Sequence, residues 1–334
     1  MAGGVGSRFW PVSTPECPKQ FLDILGVGKT LIQLTVERFE GICDAGNLWV
    51  VTNADYVGMI REQLPSIPES HILAEPAARN TAPCIAWACW KIRRADPDAE
   101  IAVAPSDALV LDVEGFRKVI GSALQFVYVN REAVVTVGIK PNRPETGYGY
   151  VQFSGGDGAV RKVSEFREKP DLDTARKYLE AGCYLWNAGI FVWSAAAVEK
   201  CIREYKPELA ARMDEIAAGG DVSEIFPRCE KISIDYAVME PAAACGKVYT
   251  CPADFGWSDL GNWTSLHDNL PVDSGGNAAV GPVSFFECGN CVVHAEDALK
   301  VVVQGLDGYI VALKNGRLLV CRREDEQRIR EFNG

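Results

Sequence analysis

Three glycines and two cations near the start of the sequence could bind a phosphate group. Gly3, Gly4 and Gly6 lack the side-chain carbon that would keep a ligand away from the backbone N–H groups. Consecutive N–H groups can then line a concave surface that accepts phosphate oxygens. Arg8 adds a planar guanidinium that matches phosphate, and Lys19 adds a mobile ammonium. The spacing predicts a loop for a nucleoside triphosphate, although a glycine-rich turn would explain the glycines alone.

Two familiar phosphate loops fit this sequence poorly. Gly28-Lys29-Thr30 has the last three residues of a Walker loop, but no glycine stands at residues 23–25, where that motif would begin. The dinucleotide loop needs G-x-G-x-x-G, and Gly4 and Gly6 are followed by Phe9 instead of a third glycine. A triphosphate loop of another type remains the interpretation, with a kinase that uses Gly28-Lys29-Thr30 as an alternative.

Two aspartates from distant segments are candidate metal ligands. Asp107 ends a strand in Pro-Ser-Asp, and Asp259 lies between two tryptophans in GWSDLGNW. Magnesium is typically held by one or two carboxylates together with substrate phosphates. The two aspartates are therefore predicted to meet at the glycine loop and hold one Mg²⁺. A helix cap or a turn would explain each aspartate taken alone.

Two further groups of polar residues follow predicted strands. Glu75 can accept from the N1–H and the exocyclic amine of guanine, and Asn80 and Thr81 come shortly after it, where they would also cap a helix. Further along, polar and glycine residues are candidates for contacts with a sugar phosphate. They are Lys169 for a second phosphate, Glu168 and Asn187 for sugar hydroxyls, and Gly147 for close backbone approach, with a solvated charged turn as the alternative at 168–169.

Composition limits the classes of function. The 334 residues have a formal net charge of −11, which argues against a nucleic-acid surface, and no apolar run is long enough to span a bilayer. The 12 cysteines lie mostly in apolar runs, as in a reducing cytosol, so we expect a cytoplasmic protein that does not bind a membrane. Cys288, Cys291 and His294 form the one suggestive zinc cluster, but a structural zinc needs four ligands and no second pair lies nearby.

The elements alternate between strand and helix in the first half of the chain, which predicts an α/β fold with a parallel sheet covered on both faces. Predicted strands are 48–52, 101–104 and 133–139, and predicted helices are 56–64, 81–95 and 113–129. The middle of the chain reads as an insertion with antiparallel strands. We expect strands at 147–153, 160–163, 184–193 and 247–251, and helices at 172–179, 196–205, 207–218 and 234–239.

The end of the chain reads as a small separate β-domain. Short β-runs broken by glycine and asparagine are expected at 283–286, 291–294, 300–303, 309–313 and 318–321, with a helix at 325–332. The predicted domains are a catalytic domain over 1–270 and a β-domain over 275–334. Because nothing precedes Ala2 to form the strand that normally leads into such a loop, we also expect the natural chain to carry an apolar strand upstream of Met1.

These segments together resemble the mannose-1-phosphate guanylyltransferases of the sugar-nucleotidyltransferase superfamily. They appear in the family's order over about four-fifths of the chain, and the joint match is specific although GGxGxR alone would mean little. The matching segments are AGGVGSRFWP, PKQF, EPAARNTAP, PSD, GIKPNRPETGYGY, REKP, WNAGIF, SIDYAVME and GWSDLGNW.

The resemblance implies a fold and a set of roles. It implies a Rossmann-like, mostly parallel sheet with helices on both faces and a small C-terminal left-handed β-helix. It makes Arg8, Lys19 and Lys169 catalytic cations and Asp107 and Asp259 the Mg²⁺ ligands. The nucleotide would contact Ala2, Gly3, Gly4, Gly6, Glu75, Asn80 and Thr81, and the sugar phosphate would contact Gly147, Glu168 and Asn187. The isomerase domain of some relatives is not expected after Gly334.

The activity implied is transfer of GMP from GTP to mannose 1-phosphate by direct in-line attack, in a homodimer. Two alternatives stay open besides the kinase. One is the same chemistry with another nucleoside triphosphate or hexose 1-phosphate. The other is a nucleotidyltransferase-like regulatory subunit without catalysis, against which the presence of all four predicted phosphate and metal side chains argues.

Overall fold

The computed structural model of the chain describes residues 1–4, 7–154 and 158–332. Its helices are α1 (Leu31–Glu37), α2 (Val57–Gln63), α3 (Thr81–Ala95), α4 (Val113–Val129), α5 (Leu172–Ala181), α6 (Ala195–Tyr205), α7 (Pro207–Ala217), α8 (Val222–Ile225), α9 (Glu240–Ala244), α10 (Trp263–His267) and α11 (Ile329–Phe332). A π-helical turn, Asp235–Met239, leads into α9.

The strands follow the same chain order. They are β1 (Val50–Asn53), β2 (Ile72–Glu75), β3 (Glu100–Val103), β4 (Leu109–Val110), β5 (Val134–Ile139), β6 (Tyr150–Phe153), β7 (Arg161–Arg167), β8 (Tyr184–Ser194), β9 (Val248–Ala253), β10 (Trp257–Ser258), β11 (Ala278–Val280), β12 (Val283–Phe286), β13 (Val292–His294), β14 (Val301–Gln304), β15 (Tyr309–Lys314) and β16 (Arg317–Arg322).

The contacts within the chain divide it into two compact units. Unit 1 comprises Met1–Gly3, Arg38–Pro105 and Val110–Trp257, and unit 2 comprises Gly4–Glu37, Ser106–Leu109 and Ser258–Gly334. The predicted boundary at residues 270–275 falls inside unit 2, and the predicted pair of domains stays a prediction. Searched over the described residues, neither unit has a helix with the length and hydropathy needed to cross a membrane.

A six-stranded mixed sheet forms the centre of unit 1. Its strand order is β3-β8-β5-β9-β7-β6, and β8 also pairs with β6. Strands β5 and β9 run parallel, from Val134 opposite Val248 to Ile139 opposite Ala253. All six residues of β5 are buried, as expected for a central strand that is covered on both faces.

The prediction of a mostly parallel sheet is wrong for this sheet. Among the described strands, β5–β9 is its one parallel pairing, and the others are antiparallel. Strand β8 runs antiparallel to β6 over residues 184–186, to β5 over 186–193 and to β3 over 191–194, and β7 is antiparallel to both β6 and β9. The predicted antiparallel strands of the middle segment are therefore part of the main sheet. The pair β1–β2 is parallel, and Ala2 forms a further parallel bridge to Thr52.

Capping residues explain where the two long helices of unit 1 begin. Oδ1 of Asn80 accepts from the N–H of Thr81 at 2.8 Å, and Oδ1 of Asp112 accepts from the N–H of Gly115 at 2.9 Å. Helices α3 and α4 have the bounds that the sequence predicts. In α3, Pro83 lies in the first turn, where the missing N–H is tolerated.

Parallel strands dominate the C-terminal part of unit 2. Val292 of β13 lies opposite Ala278 of β11 and Ile310 of β15, and β12 pairs in parallel with β14. Strand β16 closes the first of these sheets antiparallel to β15. The β-rich character of this part is confirmed, and the five predicted β-runs correspond to β12 to β16, whereas β11 was not predicted. The handedness of its coils stays a prediction. The expected helix at 325–332 is a 3₁₀ segment, Arg323–Arg328, followed by α11.

Candidate functional site

The ammonium group of Lys19 contacts both of the segments in unit 2 that carry the predicted metal ligands. Nζ lies 3.1 Å from Oδ2 of Asp107. It also donates to the carbonyl oxygens of Asp259 at 2.7 Å and Leu260 at 3.0 Å. Three acceptors match the three N–H donors of an ammonium group, and Lys19 is 7% exposed. The structure therefore brings together Lys19, Asp107 and Asp259, and here Lys19 acts as a buried tie between the two acidic segments.

A tight turn at residues 258–261 fixes Asp259 beside Arg8. The turn gives Leu260 a φ of 43°, and Oδ1 of Asp259 accepts from the N–H of Gly261 at 3.1 Å. Nη1 of Arg8 donates to the carbonyl oxygen of Gly261 at 3.0 Å. A Cβ on Gly261 would lie 2.6 Å from Oδ2 of Asp259 and 3.1 Å from Nη1 of Arg8. Only a glycine leaves room for this arrangement, which places a cation next to an acid.

The two aspartates offer donors that suit magnesium. Asp107 directs Oδ2 to Lys19, yet its side chain is 35% exposed. Asp259 directs Oδ1 to the N–H of Gly261. Magnesium usually takes one or two carboxylates and completes its shell with water and substrate phosphates. The donor set of unit 2 therefore fits a magnesium ion that is bound together with a triphosphate.

The glycines of the predicted phosphate loop are placed only in part. The carbonyl oxygen of Gly4 accepts from Nε2 of Gln20 at 2.9 Å. Ala2 is buried, and its N–H donates to the carbonyl oxygen of Val51 at 2.8 Å, so it serves the sheet of unit 1. Gly6 lies outside the described residues. The role of these residues in nucleotide binding stays a prediction.

Glu75, the last residue of β2, is a buried carboxyl group in unit 1. It is 8% exposed, and within the described part of the chain its Oε1 has no hydrogen-bond partner. A Cβ on Gly3 would lie 3.4 Å from its Oε2. Burial raises the pKa of Glu75 to about 7, against the opposing charge of the chain's amino terminus. A buried oxygen without a partner is costly unless a ligand or water satisfies it. The contact of Glu75 with guanine stays a prediction.

The raised pKa predicts how stability depends on pH. The unfolded chain ionises Glu75 near its ordinary value, whereas the folded chain holds the proton until about pH 7. Between these values the native state binds more protons, so this group makes the wild type less stable as pH rises. Glu75→Gln removes this titrating group. The difference in the free energy of unfolding, variant minus wild type, should therefore increase by roughly 2–3 kcal/mol between pH 5 and pH 8.

Urea unfolding at several pH values measures this difference. Glu69→Gln is the matched control, because Glu69 is an exposed carboxylate paired with Arg61, and hydrogen bonding to Arg61 lowers its pKa. For Glu69→Gln, the free energy of unfolding relative to wild type should not increase with pH. A difference between Glu75→Gln and wild type that stays constant with pH would contradict the assignment of a buried, proton-holding Glu75.

Asn80 and Thr81, which were predicted to contact the nucleotide, make hydrogen bonds within unit 1. Asn80 caps α3 with its side-chain oxygen and adopts a φ of 66°. Oγ1 of Thr81 accepts from the N–H of Ile234 at 2.9 Å, and so ties the start of α3 to the segment before the π-helical turn. The Asn80 contact matches the capping alternative, whereas the Thr81 contact is a tertiary hydrogen bond and not a cap. The role of both residues at a nucleoside stays a prediction.

Glu168, Lys169 and Asn187 do lie together in unit 1. Oε1 of Glu168 pairs with Nζ of Lys169 at 2.8 Å, and the Glu168 side chain is 6% exposed. Burial opposes the charge of Lys169, but the bond to Glu168 prevails and raises the pKa of the lysine. A Cβ on Gly149 would lie 2.5 Å from Oε2 of Glu168 and 3.3 Å from Cβ of Asn187. An anionic acceptor and an amide thus lie against Gly149, and the cation of Lys169 pairs with that acceptor. Their role at a sugar phosphate stays a prediction.

Two residues of this cluster were missed from the sequence, and one that was predicted lies apart. Gly149, two positions after Gly147, is the glycine against Glu168 and Asn187, whereas the N–H of Gly147 donates to Oε1 of Glu145 at 2.9 Å. Asp235 accepts from Nδ2 of Asn187 at 3.0 Å. The signal for Asp235 was present in SIDYAVME, but the sequence indicated no partner for it.

The segment Gly28-Lys29-Thr30, which the kinase alternative requires as a phosphate loop, makes other contacts. The carboxylate of Asp23 accepts from the N–H groups of Val27 at 3.0 Å and Gly28 at 2.5 Å. Lys29 forms an ion pair with Glu37 at 2.7 Å. An acid therefore takes up the N–H groups that a phosphate would need, and this argues against a phosphate loop at this position.

The two cysteines of the suggested zinc cluster make local contacts. The thiol of Cys288 lies within hydrogen-bond distance of the carbonyl oxygens of Phe286 and Val303, and that of Cys291 of those of Gly289 and Leu306, so each thiol has a backbone acceptor. Over residues 1–4, 7–154 and 158–332, no group of three or more His, Cys, Asp or Glu side chains is placed to hold a metal ion.

Comparisons with known proteins show the family of the chain. The family model for nucleotidyl transferase matches residues 1–273. The chain is 34% identical over 339 residues to the mannose-1-phosphate guanylyltransferase of Escherichia coli K12, covering 96% of this chain and 70% of the relative. It is 36% identical over 341 residues to the xanthan biosynthesis protein XanB of Xanthomonas campestris pv. campestris strain B100, covering 99% and 71%.

A solved structure agrees with the fold over the whole chain. It is described as mannose-1-phosphate geranyltransferase from Thermus thermophilus, with 31% identity and a TM-score of 0.91, and the match covers 100% of this chain and 96% of that one. The α/β nucleotidyltransferase fold is therefore confirmed. The chain belongs to the nucleotidyl transferase family, with mannose-1-phosphate guanylyltransferases among its relatives.

Proposed function

We propose that the chain transfers GMP from GTP to α-D-mannose 1-phosphate and releases GDP-mannose and pyrophosphate. The observation that carries the proposal is the Lys19 ammonium, which joins the carboxylate of Asp107 to the backbone of Asp259 within a chain of the nucleotidyl transferase family. The choice of guanine and mannose is supported by the name of the Escherichia coli relative, to which this chain is 34% identical.

The proposed reaction is a single in-line displacement. A phosphate oxygen of mannose 1-phosphate attacks the α-phosphorus of GTP, and the bond from that phosphorus to the bridging oxygen of pyrophosphate breaks. The attacking oxygen is already ionised, so the step needs neither a general base nor a covalent intermediate. The protein contributes by positioning the two substrates and by offsetting the charge that develops on the leaving group.

Each predicted cation has a place in this scheme. Arg8 would neutralise charge on the leaving pyrophosphate, and its contact to the carbonyl oxygen of Gly261 orients the guanidinium beside Asp259. Lys19 would hold the segments of Asp107 and Asp259 close to each other and would lie near the phosphates. Lys169, paired with Glu168, would steady the incoming phosphate.

Magnesium is the metal that we propose for the acidic pair. Asp107 and Asp259 would hold Mg²⁺, which would supply a Lewis acid at the phosphates of GTP. Glu75 would accept from guanine, while Glu168 and Asn187 would bind hydroxyls of the sugar. The predicted left-handed β-helix, homodimer and cytoplasmic location remain part of this proposal.

Pyrophosphate release tests the proposal directly. The chain should release pyrophosphate with GTP, mannose 1-phosphate and Mg²⁺ together, and should release little when one of the three is left out. Running ATP, CTP and UTP, and then glucose 1-phosphate and galactose 1-phosphate, in the same assay separates the alternative substrates. Pyrophosphate release with another pair would show the same chemistry on other substrates, and a folded chain without activity on any pair would favour the regulatory alternative.

A further inference from the structure

We infer that Asp235 is a positioning residue of the proposed sugar-phosphate site, where its carboxylate fixes the side-chain amide of Asn187 in one orientation. That the ligand of this site is mannose 1-phosphate rests on the proposed function. That Asp235 orients Asn187 rests on contacts within unit 1, which are the same whatever the substrate is.

The amide of Asn187 is restrained at both of its ends. Its Oδ1 accepts from Oγ1 of Thr136 at 2.7 Å and from the N–H of Gly189 at 3.3 Å. Its Nδ2 donates to Oδ1 of Asp235 at 3.0 Å. Rotating the amide by half a turn would place N–H groups against the Gly189 N–H and an oxygen against the Asp235 carboxylate. Asp235 and the N–H of Gly189 therefore define together which end of the amide is the donor, and one N–H of Nδ2 is left for a ligand.

The nitrogen of this amide faces the same glycine as the Glu168 carboxylate. A Cβ on Gly149 would lie 2.5 Å from Oε2 of Glu168 and 3.6 Å from Nδ2 of Asn187. An acceptor and a donor that flank one backbone position can bind a sugar hydroxyl, which both donates and accepts. If the amide were reversed, two acceptors would face the hydroxyl, and one contact would be lost.

Asp235 is itself held in place by its own segment. The N–H of Ile234 donates to Oγ1 of Thr81 at 2.9 Å, and the N–H of Ala82 donates to the carbonyl oxygen of Ile232 at 3.1 Å. These bonds fix the chain where the π-helical turn begins. Burial, and then the charge of Glu168, raise the pKa of Asp235 to about 6, so the group is largely ionised above pH 7. An ionised acceptor makes the stronger hydrogen bond to Asn187.

Kinetics of four variants test the inference. We expect Asp235→Ala to raise KM for mannose 1-phosphate about tenfold and to leave KM for GTP within about twofold of wild type. Asp235→Asn keeps an oxygen that can accept from Asn187, so KM for mannose 1-phosphate should return to within about threefold of wild type. Because Asp235 acts through the amide, adding Asp235→Ala to Asn187→Ala should raise KM by less than about twofold more.

Asp214→Ala is the matched control for loss of structure. Oδ1 of Asp214 accepts from Nε1 of Trp90 at 2.9 Å, so this variant also removes a carboxylate that binds a partly buried N–H in unit 1. It should lose thermal stability without a selective rise in KM for mannose 1-phosphate. Equal rises in both KM values for Asp235→Ala, or full additivity with Asn187→Ala, would overturn the inference.

A readout without turnover separates this inference from the proposed function. The side-chain amide resonance of Asn187, identified by its loss in Asn187→Ala, should shift in Asp235→Ala as the carboxylate contact disappears. An unchanged resonance would overturn the inference even in an active enzyme. A shifted resonance in a chain that does not use mannose 1-phosphate would support it while contradicting the proposed substrate.

Discussion

Replacing Asp107 or Asp259 by alanine should lower kcat for pyrophosphate release by about 100- to 1000-fold, with little change in KM for mannose 1-phosphate. Each variant removes one of the two carboxylates proposed to hold magnesium at the triphosphate. The effect falls on turnover because charge on the leaving group grows mainly in the transition state. Initial rates at saturating GTP, mannose 1-phosphate and Mg²⁺ measure it.

Asp325→Ala provides the control in the same unit. Asp325 lies 3.6 Å from Arg328 in an ion pair with an exposed guanidinium, and the proposed mechanism gives it no role. That variant should keep the wild-type rate. If both Asp107→Ala and Asp259→Ala fold normally and keep kcat within about threefold of wild type, the assignment of these two residues to the metal is wrong.

The second large effect is expected at Lys19. Lys19→Met keeps most of the apolar stem but removes the ammonium that binds Asp107 and the carbonyl oxygens of Asp259 and Leu260. One buried carbonyl oxygen, one partly buried carbonyl oxygen and one carboxylate then lose the ammonium group as a donor. We expect a loss of about 2 kcal/mol in the free energy of unfolding and a fall in kcat of about 100-fold.

Urea unfolding and pyrophosphate release on the same preparation measure both effects. Lys29→Met is the matched control, since Lys29 forms an exposed ion pair with Glu37 and should change stability by less than about 1 kcal/mol. A Lys19→Met protein as stable as wild type would contradict the role of Lys19 as a tie. Loss of stability with a normal kcat would restrict Lys19 to that structural role.

The features that were predicted best from the sequence are those determined by residues close together in the chain. Helices α3 and α4 begin after Asn80 and Asp112 because each side chain accepts an N–H in the first turn, and their predicted bounds agree with the structure. The short strands of the C-terminal part were found because glycine and asparagine separate them. These signals are local, so a single sequence contains them.

The direction of the main sheet could not be found in the same way. Strand β8 is buried along most of its length, which fits a strand of either direction. Its antiparallel place between β3 and β5 depends on pairing with residues that are far away in sequence, such as Phe191 opposite Thr136. The grouping of Gly4–Glu37 with the C-terminal strands in unit 2 has the same origin, because residues such as Phe9 and Trp263 share one core.

The candidate site shows the same limit. Residue type was enough to select Lys19, Asp107 and Asp259, which the structure brings together. Residue type was not enough to choose between Gly147 and Gly149, because only the approach of Glu168 and Asn187 distinguishes them. Asp235 was missed because its partner, Asn187, is 48 positions away.

The identity of the products tests the central claim most directly. Phosphorus NMR can follow the wild-type chain with GTP, mannose 1-phosphate and Mg²⁺ in one tube. We predict that pyrophosphate and the two coupled phosphorus signals of GDP-mannose appear in equal amounts, as the signals of GTP and mannose 1-phosphate fall together. Accumulation of GDP with a doubly phosphorylated sugar, or pyrophosphate formed with GMP while mannose 1-phosphate is not consumed, would contradict the account.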